Sequence, residues 1–503
     1  MSDFKQFKSG TDIRGIAVDT KEAKMNLTDE AVYAMTGGFA RWLCEKSGKS
    51  ADALCVAVGH DSRISADRIS RAVAAALTDA GMKVLLCGLS STPAMFMSTV
   101  DGGADAAVQI TASHHPFDRN GLKFFTKEGG LEGEDISAIL EYAAEQQPVA
   151  AKKGTAQAFD YMPRYAELLR NMICDALGAT QSERPLSGFH FVVDAGNGAG
   201  GFYANDVLAV LGADVSGSQF LEPDGMFPNH IPNPENQQAM EAITQATVEH
   251  RADLGIIFDT DVDRAGCVDA DGREINRNSL IALASAIALE GNAGGTIVTD
   301  SVTSSGLKTF IHDTLGGVHH RFKRGYKNVI NEAIRLNQAG INCPLAIETS
   351  GHAALRENYF LDDGAYLITK IIIKLAQLRR EGKSLSDLIG ALAVPMEEKE
   401  LRFQITVPDF KAYGMQVLQA LETYAKSVDG FDIADDNREG LRVFTDGGKS
   451  WFLLRMSVHD PIMPMNIESD LPGGVLGVAR QLTDFFARFD GLNITPLTEL
   501  LED

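Results

Sequence analysis

Three carboxylates at alternate positions are the sharpest chemical signal in the chain. Asp259, Asp261 and Asp263 follow the apolar run Leu254–Phe258, which predicts a buried strand that ends in an acidic loop. Like charges at this spacing repel one another, and a bound cation removes that repulsion. Carboxylate oxygens suit Mg²⁺, which also binds phosphate oxygens and water. The alternative is a solvated acidic turn, but the preceding apolar strand favours a metal site.

A serine with basic neighbours is the second candidate. Ser113 follows an apolar run, and Pro116 and Gly121 then predict an exposed loop. The Ser113 hydroxyl could attack or carry a group, and Lys123 could move a proton. His114 adjoins the serine and could orient it. The alternative is an ordinary polar loop that happens to contain a serine.

Two later clusters contain groups that bind hydroxyls and phosphates. Glu348, Ser350 and His352 offer an acceptor, a hydroxyl and an imidazole, which suit paired sugar hydroxyls. Their alternative is a helix N-terminus with the serine as its cap. A last cluster offers a guanidinium fork and further donors for a phosphate; its alternative is an exposed strand end. The last cluster consists of Arg455, Ser457 and His459.

The elements that must position these residues recur in a fixed order. Strand, turn, helix and strand alternate three times, and each time a later strand precedes a polar loop. Because ligands bind at the carboxyl ends of strands in open α/β sheets, we expect the three loops to converge on one cleft. The glycine-rich turn at residues 194–201 favours packing over phosphate binding. After about residue 395 the pattern changes, with 397–400 as a charged connector.

We therefore expect an α/β protein of four domains: three similar α/β domains with mixed, mostly parallel sheets, and a C-terminal α+β domain. The predicted boundaries are 1–150, 151–275, 276–393 and 394–503.

Composition limits the class of protein. The chain of 503 residues carries 46 basic and 68 acidic side chains, a formal net charge of −22. Such a charge argues against nucleic acid or an anionic membrane as the main partner. The six cysteines form no C-x-x-C pair, which favours reduced thiols in a cytoplasmic protein. The N-terminus shows no secretory signal, and no run is long enough to span a membrane.

The same loops resemble those of the α-D-phosphohexomutase family, in the family's order and over nearly the whole chain. The matching segments are GTDIRG at 10–15, TASHHP at 111–116 with NGLK at 120–123, DTDVDR at 259–264, ETSGH at 348–352 and the arginine–serine pair at 455 and 457. The Ser-Gly-His ending is similar to the phosphomannomutase/phosphoglucomutase branch. The chain departs from the family pattern at His115, Thr260, Val458 and His459.

The resemblance implies an intramolecular phosphotransferase. It would move phosphate reversibly between O6 and O1 of a hexose, mannose or glucose, through a phosphoserine and a hexose 1,6-bisphosphate that also serves as activator. One Mg²⁺ would bind the three aspartates and phosphorylated Ser113. The resemblance implies catalytic roles for Ser113, Lys123, Arg14, His114 and Arg264. It implies substrate contacts for Glu348, Ser350, His352, Lys323, Arg455, Ser457 and His459, although Lys323 also fits a solvated basic turn.

Asp61 and Arg63 resemble a structural turn of the family that supports the serine loop. We also expect a monomer or homodimer whose fourth domain moves. The alternative function is a catalytically weak protein on the same fold that binds sugar phosphates or regulates.

Overall fold

We describe the fold from a computed structural model, over residues 4–145, 149–457 and 460–502. The chain divides into two compact units. The larger unit comprises Met1–Ile287 and Ser350–Ile389, and the smaller unit comprises Ala288–Thr349 and Gly390–Asp503. In the described part of the chain, no helix is both long enough and apolar enough to cross a bilayer. All six cysteines are free thiols, as predicted.

The first sheet of the larger unit carries the serine loop. Its strand order is β1-β2-β6-β5-β3-β4-β8, with β7 paired to β6. Strands β3, β4, β5 and β8 pair in parallel, and β6 runs antiparallel to β5 and β2. The strands are β1 Lys8–Ser9, β2 Asp12–Ile16, β3 Cys55–His60, β4 Lys83–Leu89, β5 Ala106–Ile110, β6 Arg119–Thr126, β7 Gly129–Gly130 and β8 Thr155–Ala158. The helices are α1 Asp29–Ser47, α2 Ala66–Asp79, α3 Thr92–Val100 and α4 Gly133–Ala143.

Lys123 lies in a buried strand, which corrects the prediction of an exposed loop from Pro116 onward. It is in β6, opposite Gln109 of β5. Gly121 does not break the strand. A Cβ at Gly121 would lie 2.2 Å from the carbonyl oxygen of Ile13, so glycine permits the close approach of β2. The lysine is therefore held by a sheet.

The second sheet of the larger unit carries the acidic loop. Its order is β12-β11-β10-β9, with β9 and β10 parallel and the other pairs antiparallel. The strands are β9 Phe191–Asp194, β10 Leu254–Phe258, β11 Ala265–Asp269 and β12 Glu274–Ile275. The helices are α5 Met162–Leu177 and α6 Gln237–His250, with a π-helix at Tyr203–Leu208. Asp214 forms an isolated parallel bridge with His190, the residue before β9.

The third α/β segment contributes to both units. In the smaller unit, β13 Thr296–Thr299 lies parallel to β14 Val318–Arg321 and to β15 Leu345–Ile347. In the larger unit, β16 Ala353–Leu355 and β17 Leu361–Asp362 form an antiparallel pair. The helices of this segment are α7 Arg277–Leu289, α8 Ser305–Thr309, a π-helix at Phe310–Thr314, α9 Tyr326–Gln338, α10 Gly364–Arg380 and α11 Leu385–Ile389.

The fourth segment, in the smaller unit, is an antiparallel sheet covered by helices. Its order is β19-β20-β21-β22-β18-β23. The strands are β18 Glu397–Ile405, β19 Asp432–Ile433, β20 Leu441–Thr445, β21 Ser450–Leu454, β22 Ile462–Ser469 and β23 Leu492–Asn493. The helices are α12 Phe410–Ala425, α13 Gly474–Phe486 and α14 Thr495–Glu502. The predicted fold class, three α/β domains followed by an α+β domain, is confirmed.

The charged connector predicted at 397–400 is instead the first half of β18, paired with β22. The prediction failed because the carboxylate of Glu397 binds the start of a neighbouring helix. The Glu397 carboxylate accepts hydrogen bonds from the backbone N–H groups of Gly473 and Val475 at the start of α13. A carboxylate at this position satisfies unpaired donors and interacts favourably with the helix dipole.

Candidate active site

Ser113 meets the acidic loop directly. Its backbone has a φ of 51°, in the left-handed region that non-glycine residues rarely adopt. Its N–H donates to Thr111 Oγ1 at 2.9 Å. Its Oγ donates to Asp259 Oδ2 at 3.2 Å. The loops after β5 and β10 thus converge as predicted.

The Ser113 loop is supported from below by one buried arginine. Arg63 Nη1 donates to the carbonyl oxygens of Pro116 and Arg119, at 2.6 and 2.9 Å. Its Nη2 donates to those of Ser113 and His115. Asp61, fully buried, lies 3.2 Å from Arg63 Nε. This arrangement matches the structural role predicted for the pair.

The acidic loop has the form of a cation site. Asp259, Asp261 and Asp263 are buried, and each offers a carboxylate oxygen within 4.8 Å of the others. Oδ1 of Asp261 and Oδ1 of Asp263 are buried without a hydrogen-bond donor among the described residues. Buried carboxylate oxygens normally have partners. Two orphaned oxygens in one loop of hard ligands therefore fit Mg²⁺.

Thr260, which departs from the family pattern, is accommodated by the glycine-rich turn. A Cβ at Gly198 would lie 2.5 Å from the Thr260 carbonyl oxygen. Ala199 N–H donates to the same oxygen at 2.8 Å. The turn at 194–201 therefore packs against the acidic loop, in agreement with the packing role favoured from its sequence.

The surroundings shift the pKa values of Asp259 and Asp263 in opposite directions. Burial, reinforced by the carboxylate of Asp263, raises the pKa of Asp259 well above its usual value. Burial also acts to raise the pKa of Asp263, but nearby cations outweigh it and lower that pKa. The largest of these opposing effects comes from Lys123, whose Nζ lies 2.5 Å from Asp263 Oδ2 and 3.3 Å from Asp261 Oδ2.

Arg264 joins the serine to the acidic loop. Its Nη2 donates to Ser113 Oγ at 2.8 Å and to His114 Nδ1 at 2.6 Å. Its Nε donates to Asp259 Oδ2 at 3.1 Å. Because a guanidinium only donates, Nδ1 of His114 is the acceptor. Burial and then Arg264 lower the pKa of His114 to about 2, so this imidazole is a weak base.

Arg14 lies beside the Ser113 loop. Its Nη1 donates to the carbonyl oxygen of Ala112 at 2.7 Å, and its Nη2 donates to Asp12 Oδ2 at 2.9 Å. The register of β2 with β6 places Arg14 opposite Gly121. The two strands therefore position Arg14 at the serine loop, whereas Lys123 of β6 contacts the acidic loop.

His352 approaches the acidic loop from the third segment. Its Nδ1 is hydrogen-bonded to Asp362 Oδ2 and lies 3.9 Å from Asp263 Oδ1. Burial acts to lower the pKa of His352, but the carboxylates of Asp362 and Asp263 outweigh it and raise the pKa to about 9. Ser350, also in the larger unit, is buried.

The remaining predicted residues belong to the smaller unit. The Glu348 carboxylate accepts from the N–H of Gly325 at 2.5 Å, which ties it to the basic turn. Lys323 in that turn is exposed. Arg455 Nε is buried without a hydrogen-bond partner in the part of the chain described. Ser457 Oγ accepts from the N–H of Asp460 at 3.2 Å; His459 lies outside the described residues.

A buried polar network joins the third and fourth segments inside the smaller unit. Arg442 stacks on Trp451, 3.5 Å from the ring centre. It donates to the carbonyl oxygens of Ser301 and Thr303. Arg321 and Asp436 form a second link, at 2.9 Å, Ser301 and Glu439 a third, at 2.6 Å, and Ser305 and Glu468 a fourth, at 3.2 Å.

Sequence reasoning missed three residues of the site. Thr92 donates to Asp261 Oδ2 at 2.5 Å. Asn233 Oδ1 accepts from Arg264 Nη1 at 3.2 Å. Asp362 is hydrogen-bonded to His352. Thr92 begins helix α3, and in the sequence Asn233 lies between two prolines and Asp362 belongs to an acidic pair before a glycine. None of these local patterns indicates which residue the side chain contacts.

Known proteins are similar to this chain in sequence and in fold. Models of the phosphoglucomutase/phosphomannomutase α/β/α domains match the chain, domain I at residues 5–149, domain II at 163–272 and domain III at 276–395. A phosphoglucomutase of Neisseria gonorrhoeae is 30% identical over 467 residues, which cover 92% of this chain and 93% of that protein. The chain belongs to the phosphoglucomutase/phosphomannomutase family. The resemblance to α-D-phosphohexomutases is thereby confirmed.

Further relatives agree with this membership. A phosphomannomutase/phosphoglucomutase of Pseudomonas aeruginosa is 29% identical over 463 residues, 91% of this chain and 90% of that protein. The crystal structure of a phosphoglucomutase/phosphomannomutase family protein from Burkholderia thailandensis has the same fold. It superposes with a TM-score of 0.78 at 24% identity, covering 97% of this chain and 99% of that one. The protein is a phosphohexomutase, an intramolecular phosphotransferase.

Proposed function

We propose that the protein shifts phosphate reversibly between O6 and O1 of mannose or glucose phosphate, with Ser113 as the phosphoryl carrier. The contact between Ser113 Oγ and Asp259 Oδ2, at 3.2 Å, is the observation that carries the proposal. It brings a hydroxyl to a cluster of carboxylates that fits a divalent cation. A serine at this position can donate a phosphoryl group to the substrate and accept one back from it.

Three side chains of the larger unit and a metal ion would act at the phosphoryl group. Arg264, which contacts Ser113 Oγ, and Arg14, which contacts the carbonyl oxygen of Ala112, would offset its negative charge. Lys123 would transfer the proton of the sugar hydroxyl. The Mg²⁺ bound by the three aspartates would supply further charge neutralisation on phosphate oxygens.

Two sets of residues would bind the hexose phosphate, one at its hydroxyls and one at its phosphate. Glu348 and Ser350 would bind sugar hydroxyls in both orientations of the intermediate, with His352 beside them. Arg455 and Ser457, with His459 and Lys323, would bind the phosphate that is not being transferred. The orphaned Nε of Arg455 supports this role, because a buried guanidinium N–H calls for an acceptor.

The proposal extends to organisation. Four domains would cover 1–150, 151–275, 276–393 and 394–503. The enzyme would act in the cytoplasm as a monomer or homodimer, with hexose 1,6-bisphosphate as activator.

Intact-protein and peptide mass spectrometry test the carrier. After incubation with glucose 1,6-bisphosphate, we expect one added phosphate at Ser113. Ser113→Ala should carry none and should lose turnover in coupled assays with glucose 1-phosphate and mannose 1-phosphate run side by side. Ser182→Ala, at an exposed serine, is the matched control. Turnover by Ser113→Ala would refute the carrier. An unphosphorylated wild type without turnover would favour a protein that only binds or regulates.

A further inference from the structure

Thr92 touches the acidic loop through both its backbone and its side chain. It is the first residue of α3, after Ser91, whose hydroxyl accepts from Ala94 N–H as the helix cap. Thr92 is 3% exposed. Its N–H donates to the backbone carbonyl oxygen of Asp261 at 2.8 Å. Its Oγ1 donates to Asp261 Oδ2 at 2.5 Å. The helix start and the loop are therefore joined twice.

The second contact distinguishes the two oxygens of one carboxylate. Oδ2 of Asp261 accepts from Thr92 Oγ1 and also from Lys123 Nζ, at 3.3 Å. Oδ1 is buried and has no donor in the described ranges. The carboxylate is thus turned so that one oxygen faces protein donors and the other is left for a ligand. Groups that orient a metal-binding carboxylate in this way affect metal affinity strongly.

Of the two donors to Oδ2, only Thr92 is dedicated to it. Lys123 Nζ is shared with Asp263 Oδ2, its nearer acceptor at 2.5 Å, and in the proposed reaction Lys123 also serves the substrate. A donor with two other tasks cannot hold the carboxylate through a catalytic cycle. The hydroxyl of Thr92 can, because the start of α3 fixes it.

We propose that Thr92 is a positioning residue that presents Asp261 Oδ1 to the bound divalent cation. This inference rests on the proposed function only in taking the three aspartates as cation ligands. The backbone contact from Thr92 N–H already joins α3 to the loop. The side-chain contact therefore acts on the orientation of the carboxylate, and the two contributions can be separated by substitution.

Mn²⁺ binding to the full-length, metal-free protein tests the proposal, with free Mn²⁺ measured by electron paramagnetic resonance. Thr92→Val removes the hydroxyl but keeps the shape and the N–H. We expect its Mn²⁺ dissociation constant to rise about tenfold or more, the effect typical of a lost outer-shell partner. Thr92→Ser keeps the hydroxyl and should stay within about threefold of wild type, well short of that effect.

Thr99→Val is the matched control. Thr99 is buried in the same helix and donates to the carbonyl oxygen of Phe96 at 2.7 Å, so it loses an equivalent hydroxyl away from the aspartates. Its Mn²⁺ affinity should equal that of wild type. If Thr92→Val fails to fold, judged by circular dichroism, Thr92→Ala replaces it with the same expectation.

The outcomes separate this inference from the proposed function. Wild-type affinity in a folded Thr92→Val variant would overturn the role of Thr92 and leave the aspartate site standing. Equal weakening by Thr92→Val and Thr99→Val would also overturn it, because a general loss of helix stability would then explain both. Absence of Mn²⁺ binding by wild type would overturn both the site and the role of Thr92.

Discussion

Removing the guanidinium of Arg63 should destabilise the domain that carries Ser113 more than removing a charge at the surface does. Arg63→Met keeps an unbranched side chain close to the aliphatic part of arginine but leaves the fully buried Asp61 without its cation. Breaking a buried ion pair from one side costs about 3–5 kcal/mol. Four carbonyl oxygens of the serine loop also lose a hydrogen bond from Arg63, at about 1 kcal/mol each. The expected loss is therefore at least about 5 kcal/mol.

Urea unfolding followed by ¹⁹F NMR can localise this loss. Labelling with 5-fluorotryptophan gives one signal for each of the two tryptophans. Trp42 lies in α1, beside the first sheet, and Trp451 lies in β21 of the smaller unit. Arg63→Met should lower the urea midpoint of the Trp42 signal. Arg164→Met, at a half-exposed arginine paired with Asp101, should change stability by less than about 1 kcal/mol.

The pH dependence of the stability of Arg63→Met provides a second test. Burial raises the pKa of Asp61, and Arg63 opposes that effect. Without Arg63 the pKa of Asp61 rises further above its unfolded value, so stability is lost as pH rises and the carboxyl ionises. The variant should therefore be less destabilised at pH 5 than at pH 8. A loss no larger than that of Arg164→Met, or a loss equal at both pH values, would refute this account of the pair.

Two other substitutions test the surroundings of the acidic loop. Asp362→Asn should bring the pKa of His352 in metal-free protein down from about 9 toward its ordinary value, because its nearest carboxylate loses its charge. Imidazole proton NMR, with His352→Gln to assign the signal, measures this, and an unchanged pKa would contradict it. Gly198→Ala should weaken Mn²⁺ binding, because its Cβ would meet the backbone of Thr260 at 2.5 Å. Gly477→Ala, where a Cβ meets nothing within 4 Å, should leave binding unchanged, and equal affinities would count against the packing role.

The strands that deliver the two reacting loops were predictable because they are continuous apolar runs bounded by polar residues. Leu254–Phe258 was predicted and observed with the same bounds, and the apolar run before Ser113 forms β5, Ala106–Ile110. The residue types after these strands then indicated the chemistry. The strand that holds Lys123 was missed because Gly121 reads as a breaker. Its actual role, to admit a neighbouring backbone, becomes visible only when β2 is in place.

The contacts that orient the site lay beyond prediction from one sequence. Thr92 and Asp261 are 169 positions apart, and no local pattern relates them. Asp362 lies only ten positions from His352, yet the hairpin that brings them together consists of strands of two and three residues. Such short strands carry too few residues for a periodic pattern. Glu397 was misread because its carboxylate caps a helix that begins 77 positions later.

The network around Arg442 ties the fourth segment to the third segment within the smaller unit. Swinging that segment alone would separate Arg442 from Ser301 and Thr303, and Arg321 from Asp436. Buried guanidinium groups would then lose acceptors that the interior cannot replace. A displacement that keeps these partners together must carry strands β13 to β15 along with the C-terminal sheet. The C-terminal sheet and strands β13 to β15 are therefore expected to stay together as one body, the smaller unit.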